Sequence, residues 1–140
     1  METAGFLRRI FALIYDSLAV LGIIFSLSLF LVWSNSGSGE PGSLISYIQI
    51  LIILISGPLF YSYFWIKNNG QTLGMQAWKI KLVSTKESPL TLNQALTRCL
   101  VSALSAFCLG FGYLWILFNK ERLSWADMVT HTKIVKLEID

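Results

Sequence analysis

A single carboxylate, Asp16, interrupts the apolar run at residues 10–33, which is otherwise free of charge. A charged side chain at the centre of a membrane helix costs roughly 2.5–3.5 kcal/mol on insertion scales. Such a group needs a partner cation, a watery cavity, a bound ion or a place near the interface. Arg9 precedes it by seven residues. On an α-helix that spacing is almost two turns, so both side chains share one face, about 10 Å apart along the axis. One chemistry fits this pattern: a carboxylate held out of water can trade a proton for a cation. The structural alternative is an anchor, with Asp16 paired to Arg9 or Arg98. Asp16 lies only about 9–10 Å in from residue 10, a depth that favours the anchor.

A second carboxylate, Asp127, ends Ser124-Trp-Ala-Asp127. That is a capping arrangement, in which the acid satisfies a helix N-terminus, with ion handling as the alternative. Thr72 and Thr132 bear hydroxyls that can serve a site or satisfy local backbone. His131 is the only histidine and stands in a polar tail. Gly70 and Gly74 lack the Gly-Lys-Ser/Thr ending of a phosphate loop, which excludes nucleotide binding of that kind. Cys99 and Cys108 would point apart on one helix, too far for a disulfide. No Cys/His cluster or nucleophile–base set occurs, so neither a metal, a cofactor nor an enzyme activity is expected.

The elements that must position these residues follow from composition. Of 140 residues, 54% are hydrophobic and 14% charged, against about 25% charged in a soluble domain. Mean hydropathy is +0.61. Residues 10–33 and 44–66 each meet the length of about 20 apolar residues that a transmembrane helix needs. Residues 99–118 form a third, marginal segment. The net charge of +3 reflects basic residues beside the apolar spans rather than one patch, so a nucleic-acid partner is not expected. Arg8 and Arg9 precede a run far longer than the apolar core of a signal peptide, so it reads as an uncleaved span.

The connector at residues 34–43, SNSGSGEPGS, carries no Lys or Arg. Residues 67–98 carry Lys67, Lys79, Lys81, Lys86 and Arg98 against Glu87. The positive-inside rule therefore places the N-terminus and residues 67–98 in the cytoplasm. Trp78 to Leu82 alternates apolar and basic, a strand period, and so does the tail at Val135, Leu137 and Ile139. Each is the natural partner of the other. Thr91-Leu-Asn-Gln94 has the form of a capping box opening the third apolar helix. If residues 99–118 crossed fully, the strands would lie on opposite sides of the membrane, and Lys120 and Arg122 would face outside. A re-entrant pair broken at Gly110-Phe-Gly112 avoids both. A straight crossing, with those glycines as packing residues, is the alternative.

Several pieces of this chain form a recognisable set: Arg9-Ile-Phe-Ala-Leu-Ile-Tyr-Asp16, Gly70-Gln-Thr-Leu-Gly74-Met75, Lys79-Ile-Lys81, Pro89-Leu-Thr, Arg98, Gly110-Phe-Gly112, and Arg122-Leu-Ser-Trp-Ala-Asp127 with Thr132. The set resembles the RDD family, small bacterial membrane proteins named for one arginine and two aspartates. The resemblance runs from about Gly5 to Val135 and maps the three onto Arg9, Asp16 and Asp127. Ala126 stands where the family often has His, and His131 where it often has Gly. The resemblance implies a protein of the bacterial inner membrane, of loosely defined role, with transport considered and sodium–proton exchange linked to some members.

The expectation is therefore an all-α membrane protein of one domain. A hairpin of two transmembrane helices, about 10–33 and 44–66, is joined by a third short or re-entrant helical segment, about 99–118, and a small two-stranded cytoplasmic β-element. Residues 1–9, 67–98 and 119–140 are cytoplasmic. The functional expectation is a transporter or ion exchanger using Arg9, Asp16 and Asp127, supported by Thr72, Arg98 and Thr132. Its partners would be the lipid bilayer, a monovalent cation or proton, and further copies of itself. A non-catalytic scaffold or partner subunit of a larger membrane complex is the alternative.

Overall fold

The computed structural model describes residues 2–36 and 40–138. Eight elements follow one another: α1 (Phe6–Ser34), α2 (Leu44–Lys67), α3 (Leu73–Ala77), β1 (Ile80–Ser84), α4 (Leu92–Phe107), α5 (Phe111–Phe118), α6 (Trp125–Thr130) and β2 (Thr132–Lys136). The fold is mostly helical, with a small antiparallel sheet.

α1 and α2 are the two helices long and apolar enough to cross a membrane. α1 has 29 residues, about 43 Å at 1.5 Å per residue, against a hydrocarbon core of about 30 Å. The surplus is at its start. The buried residues of α1 are Arg9, Ala12 and Asp16, all within its first three turns. Beyond Asp16 its large apolar side chains, among them Leu21, Phe25, Leu29 and Phe30, are exposed, as lipid-facing residues must be. α2 starts at Ser43, whose hydroxyl accepts from the Ser46 N–H at 3.3 Å, and ends on Lys67, a cation in the last turn. Gln49 donates to Ser28 at 2.6 Å, tying the hairpin together within its apolar length.

β1 and β2 pair in the register Ile80↔Lys136, Leu82↔Ile134 and Ser84↔Thr132. Ile80, Leu82, Ile134 and Val135 are buried. The expected strand pairing is thus present. Leu137 lies past the end of β2, though its N–H still donates to the Lys79 carbonyl at 2.9 Å. Ile139 lies outside the described residues. The chain start adds an edge that the sequence did not announce: Thr3 bridges Val135, and the Ala4 N–H donates to Ile134. A small core of Ala4, Ala12, Trp65, Met75, Leu82 and Ala95 joins the sheet to α3 and to the near ends of α1, α2 and α4.

α4 and α5 are a bent pair, with an angle of 93° between them. Their excursion leaves from the sheet after β1 and returns to it at β2. A straight third crossing is not what the chain builds. α4 opens on the Thr91–Gln94 capping box, as its sequence indicates. The break comes slightly earlier than expected, at Cys108–Gly110, because two successive residues, Leu109 (φ 57°) and Gly110 (φ 77°), turn left-handed. Gly112 is inside α5, where an added Cβ would meet the Ser105 side chain. The two glycines therefore do different work, one turning the chain and one allowing α5 onto α4. Nothing lies within 4 Å of a Cβ added at Gly110, so substitution there costs backbone energy alone. We expect Gly110→Ala to lose about 1–2 kcal/mol and Gly110→Asn less, since Asn tolerates the left-handed region. Thermal unfolding in detergent checks that order, and equal losses for both would contradict it.

Candidate functional site

Of the three charges the family name singles out, two meet: Arg9 pairs with Asp127, and Asp16 stands apart. Arg9, in the second turn of α1, uses all three nitrogens. Its Nε donates to the Ala4 carbonyl at 3.2 Å, Nη1 to Asp127 Oδ2 at 2.5 Å and Nη2 to the Arg122 carbonyl at 2.9 Å. Arg98, two turns into α4, donates from Nη1 to Asp127 Oδ1 at 2.5 Å and to the Thr132 hydroxyl at 2.9 Å. Its guanidinium lies 5.2 Å from the Trp65 ring centre, a cation–π contact. Asp127 thus sits between two guanidiniums, its side chain fully buried.

Local sequence explains why Asp127 is there. Ser124 and Asp127 form the expected capping box at the start of α6: the Asp127 N–H donates to Ser124 Oγ, and the Ser124 N–H to Asp127 Oδ2. One carboxylate therefore caps a helix and cross-ties α1, α4 and α6. Burial alone would push its carboxyl up, but Arg98 and Arg9 together hold it below the ordinary range. Thr130 and Thr132 share a hydrogen bond of 2.7 Å beside it. His131 closes α6 in a left-handed turn, φ 52°, a conformation that favours glycine.

Asp16 faces elsewhere. Its Oδ2 accepts from the Thr72 hydroxyl at 2.5 Å and its Oδ1 from the Gly74 N–H at 2.8 Å. The expected anchoring pair of Asp16 with Arg9 or Arg98 is not formed, and both arginines go to Asp127 instead. The reason is their position along the axis. Arg9 and Asp16 share the buried face of α1, but the Arg9 side chain reaches across to Asp127 on α6, whereas α3 packs directly against the turn that carries Asp16. Thr72 is the N-cap of α3, accepting from the Met75 N–H at 3.3 Å. A capping box would place Glu or Gln at position 75, where this chain has Met. Asp16 brings a carboxylate to the start of α3 from another helix, accepting from the Thr72 hydroxyl and the Gly74 N–H. That role falls on Thr72 as both cap and donor, and on Gly74, which the sequence reading left aside. The missing acid after Thr72 was the one available signal.

Arg9, Asp16 and Arg98 also line a cleft of about 350 Å³. Its far end is apolar, walled by Ile53, Leu54 and Gly57 of α2 and Ala103 of α4. Tyr61 and Trp65 line it as well. Among the described residues no group of three or more His, Cys, Asp or Glu could hold a metal ion. Cys99 and Cys108 are free.

A family model described as the RDD family matches residues 3–131. No curated protein and no solved structure gives a significant match.

Proposed function

This chain belongs to the RDD family and is an integral membrane protein, and from that premise we propose that it is an ion-coupled transporter of the bacterial inner membrane. The cleft is its binding chamber and Asp16 the group that exchanges a proton for a monovalent cation. One observation carries the reading: Asp16 is 1% exposed, lines the cleft, and forms no ion pair among the described residues. Each of its oxygens accepts one hydrogen bond and keeps a further lone-pair site. Arg9, Asp127 and Arg98 are the fixed cross-tie that shapes the chamber, with Thr132 orienting Arg98. The protein performs no covalent chemistry in this reading.

Orientation follows from charge. The N-terminal residues, the segment around β1 and the tail converge on the sheet, bringing Arg8, Lys79, Lys81, Lys133 and Lys136 to one end. The connector between α1 and α2 has no basic residue. The sheet end is cytoplasmic by the positive-inside rule, and with it the N-terminus. α1 and α2 cross, α4 and α5 re-enter, and copies of the chain assemble to enclose a path that two spans cannot.

The test is proton flux in proteoliposomes loaded with a pH dye and pulsed with sodium, potassium or lithium. Wild type should show cation-driven flux. Asp16→Asn should lose it by about a hundredfold or more, the range typical of a positioned proton-transfer group. Asn keeps an acceptor for Gly74 and a group to meet the Thr72 hydroxyl, so the variant retains its fold. Absence of flux with all three cations in well-folded wild type would overturn exchange. A second reading, a non-catalytic scaffold or partner subunit, has its own support. Both buried carboxylates tie separate elements together. In that case Asp16→Asn lowers folded yield, and a partner co-purifies without flux.

A further inference from the structure

The sheet-side end of the cleft holds two buried donors with nothing to donate to. Arg98 is 5% exposed, and its Nε has no hydrogen-bond partner among the described residues. The indole Nε1 of Trp65, which is 6% exposed and stacked under that guanidinium, has none either. Buried polar groups are almost always paired. Two orphans on residues that both line one cavity point to an acceptor that completes them. Asp127 takes one bond from each of Arg9 and Arg98. Each of the three Arg9 nitrogens makes a bond, whereas Arg98 leaves its Nε unpaired, so the open donor lies on Arg98. Asp16, on the same wall, turns both oxygens to α3.

The opposite end is apolar, with Ile53, Leu54 and Pro58 along α2. A chamber cationic at one end and apolar at the other suits an amphiphilic anion. Its size narrows the choice. A cleft of about 350 Å³ accommodates one medium acyl chain along its apolar wall.

We propose that the cleft binds a single-chain carboxylate of fatty-acid type, its headgroup at Arg98 and Trp65 and its tail along Gly57. This names the substrate class of the chamber described above. It rests on the reading of the cleft as a ligand chamber, not on cation exchange.

The experiment is binding of radiolabelled dodecanoate to the full chain in nanodiscs of zwitterionic lipid, with empty nanodiscs subtracted. A saturable component is expected, displaced by neither dodecanol nor dodecyltrimethylammonium. A Cβ at Gly57 meets nothing within 4 Å, so Gly57→Leu fills the tail end without disturbing the charges. It should weaken binding by about tenfold or more. Trp65→Phe keeps the ring under Arg98 and removes one donor, and should weaken binding by about threefold. No saturable component, or equal displacement by dodecanol, overturns the proposal. Displacement by phosphatidylglycerol at equal concentration also overturns it, in favour of a two-chain lipid. Dodecanoate binding without cation flux leaves this inference standing and removes only exchange, whereas flux without dodecanoate binding does the reverse.

Discussion

Asp127→Ala should destabilise the folded protein by about 3–5 kcal/mol, enough to erase most of its folded yield. The alanine leaves two guanidiniums, Arg9 and Arg98, buried without their shared counter-ion. It also removes a helix cap, a loss worth about 1 kcal/mol alone. Asp127→Asn separates the two contributions. An amide oxygen can still accept from the Ser124 N–H, so the cap survives while the charge does not. We expect Asn to reproduce most of the alanine loss in thermal unfolding of the detergent-solubilised protein. An Asn variant close to wild type would mean that capping, and not the arginine cross-tie, is what Asp127 contributes.

The same residue sets an acid limit. Its folded-state carboxyl titrates below the ordinary value of 3.8, because Arg98 and Arg9 outweigh the effect of burial. A depressed carboxyl contributes stability that is complete above the ordinary value and is lost as pH falls through the lower, folded one. The contribution of Asp127 to the melting temperature should therefore be constant above about pH 5 and fall only in stronger acid. In Asp127→Asn this contribution to the acid fall should be missing. An unchanged acid limb in that variant would place the pH dependence on other carboxylates.

The second large effect is expected at Gly74. A Cβ there would collide with the Ala12 carbonyl oxygen of α1 and press on Asp16 Oδ1. The first obstacle is helix backbone, which cannot rotate away as a side chain can. Gly74→Ala should push α3 off α1, stretch the bond from the Gly74 N–H to Asp16, and cost about 3 kcal/mol, the upper end for overpacking. Gly57→Ala is the control. It has open space, sits in the interior of α2, and should be neutral or stabilising by up to about 1 kcal/mol. Comparable losses in the two variants would show that α3 does not depend on close approach to α1.

The local features of this fold were legible in the residues. Both capping boxes, Thr91–Gln94 and Ser124–Asp127, close within one turn, so four residues contain the whole interaction. The two spans follow from apolar length. Pairing of β1 with β2 follows from period-two patterning, because each strand needs one partner and only one other stretch offers it. The bend between α4 and α5 was visible in its glycines. Its position was not, since a left-handed turn is set by individual dihedral angles, and Leu109 gives no sign of adopting one.

Which charges meet was decided by tertiary structure alone. Helical spacing correctly put Arg9 and Asp16 on one face of α1, and it could say no more, because a face does not name its neighbour. Only the packing of α3 against α1, and the placement of α6 beside α4, sends Arg9 to Asp127 and Asp16 to Thr72 and Gly74. The orphaned donors of Arg98 and Trp65 and the cleft they line arise in the same way. The residues that line it come from five helices and both strands, and the cleft exists only once those elements are packed.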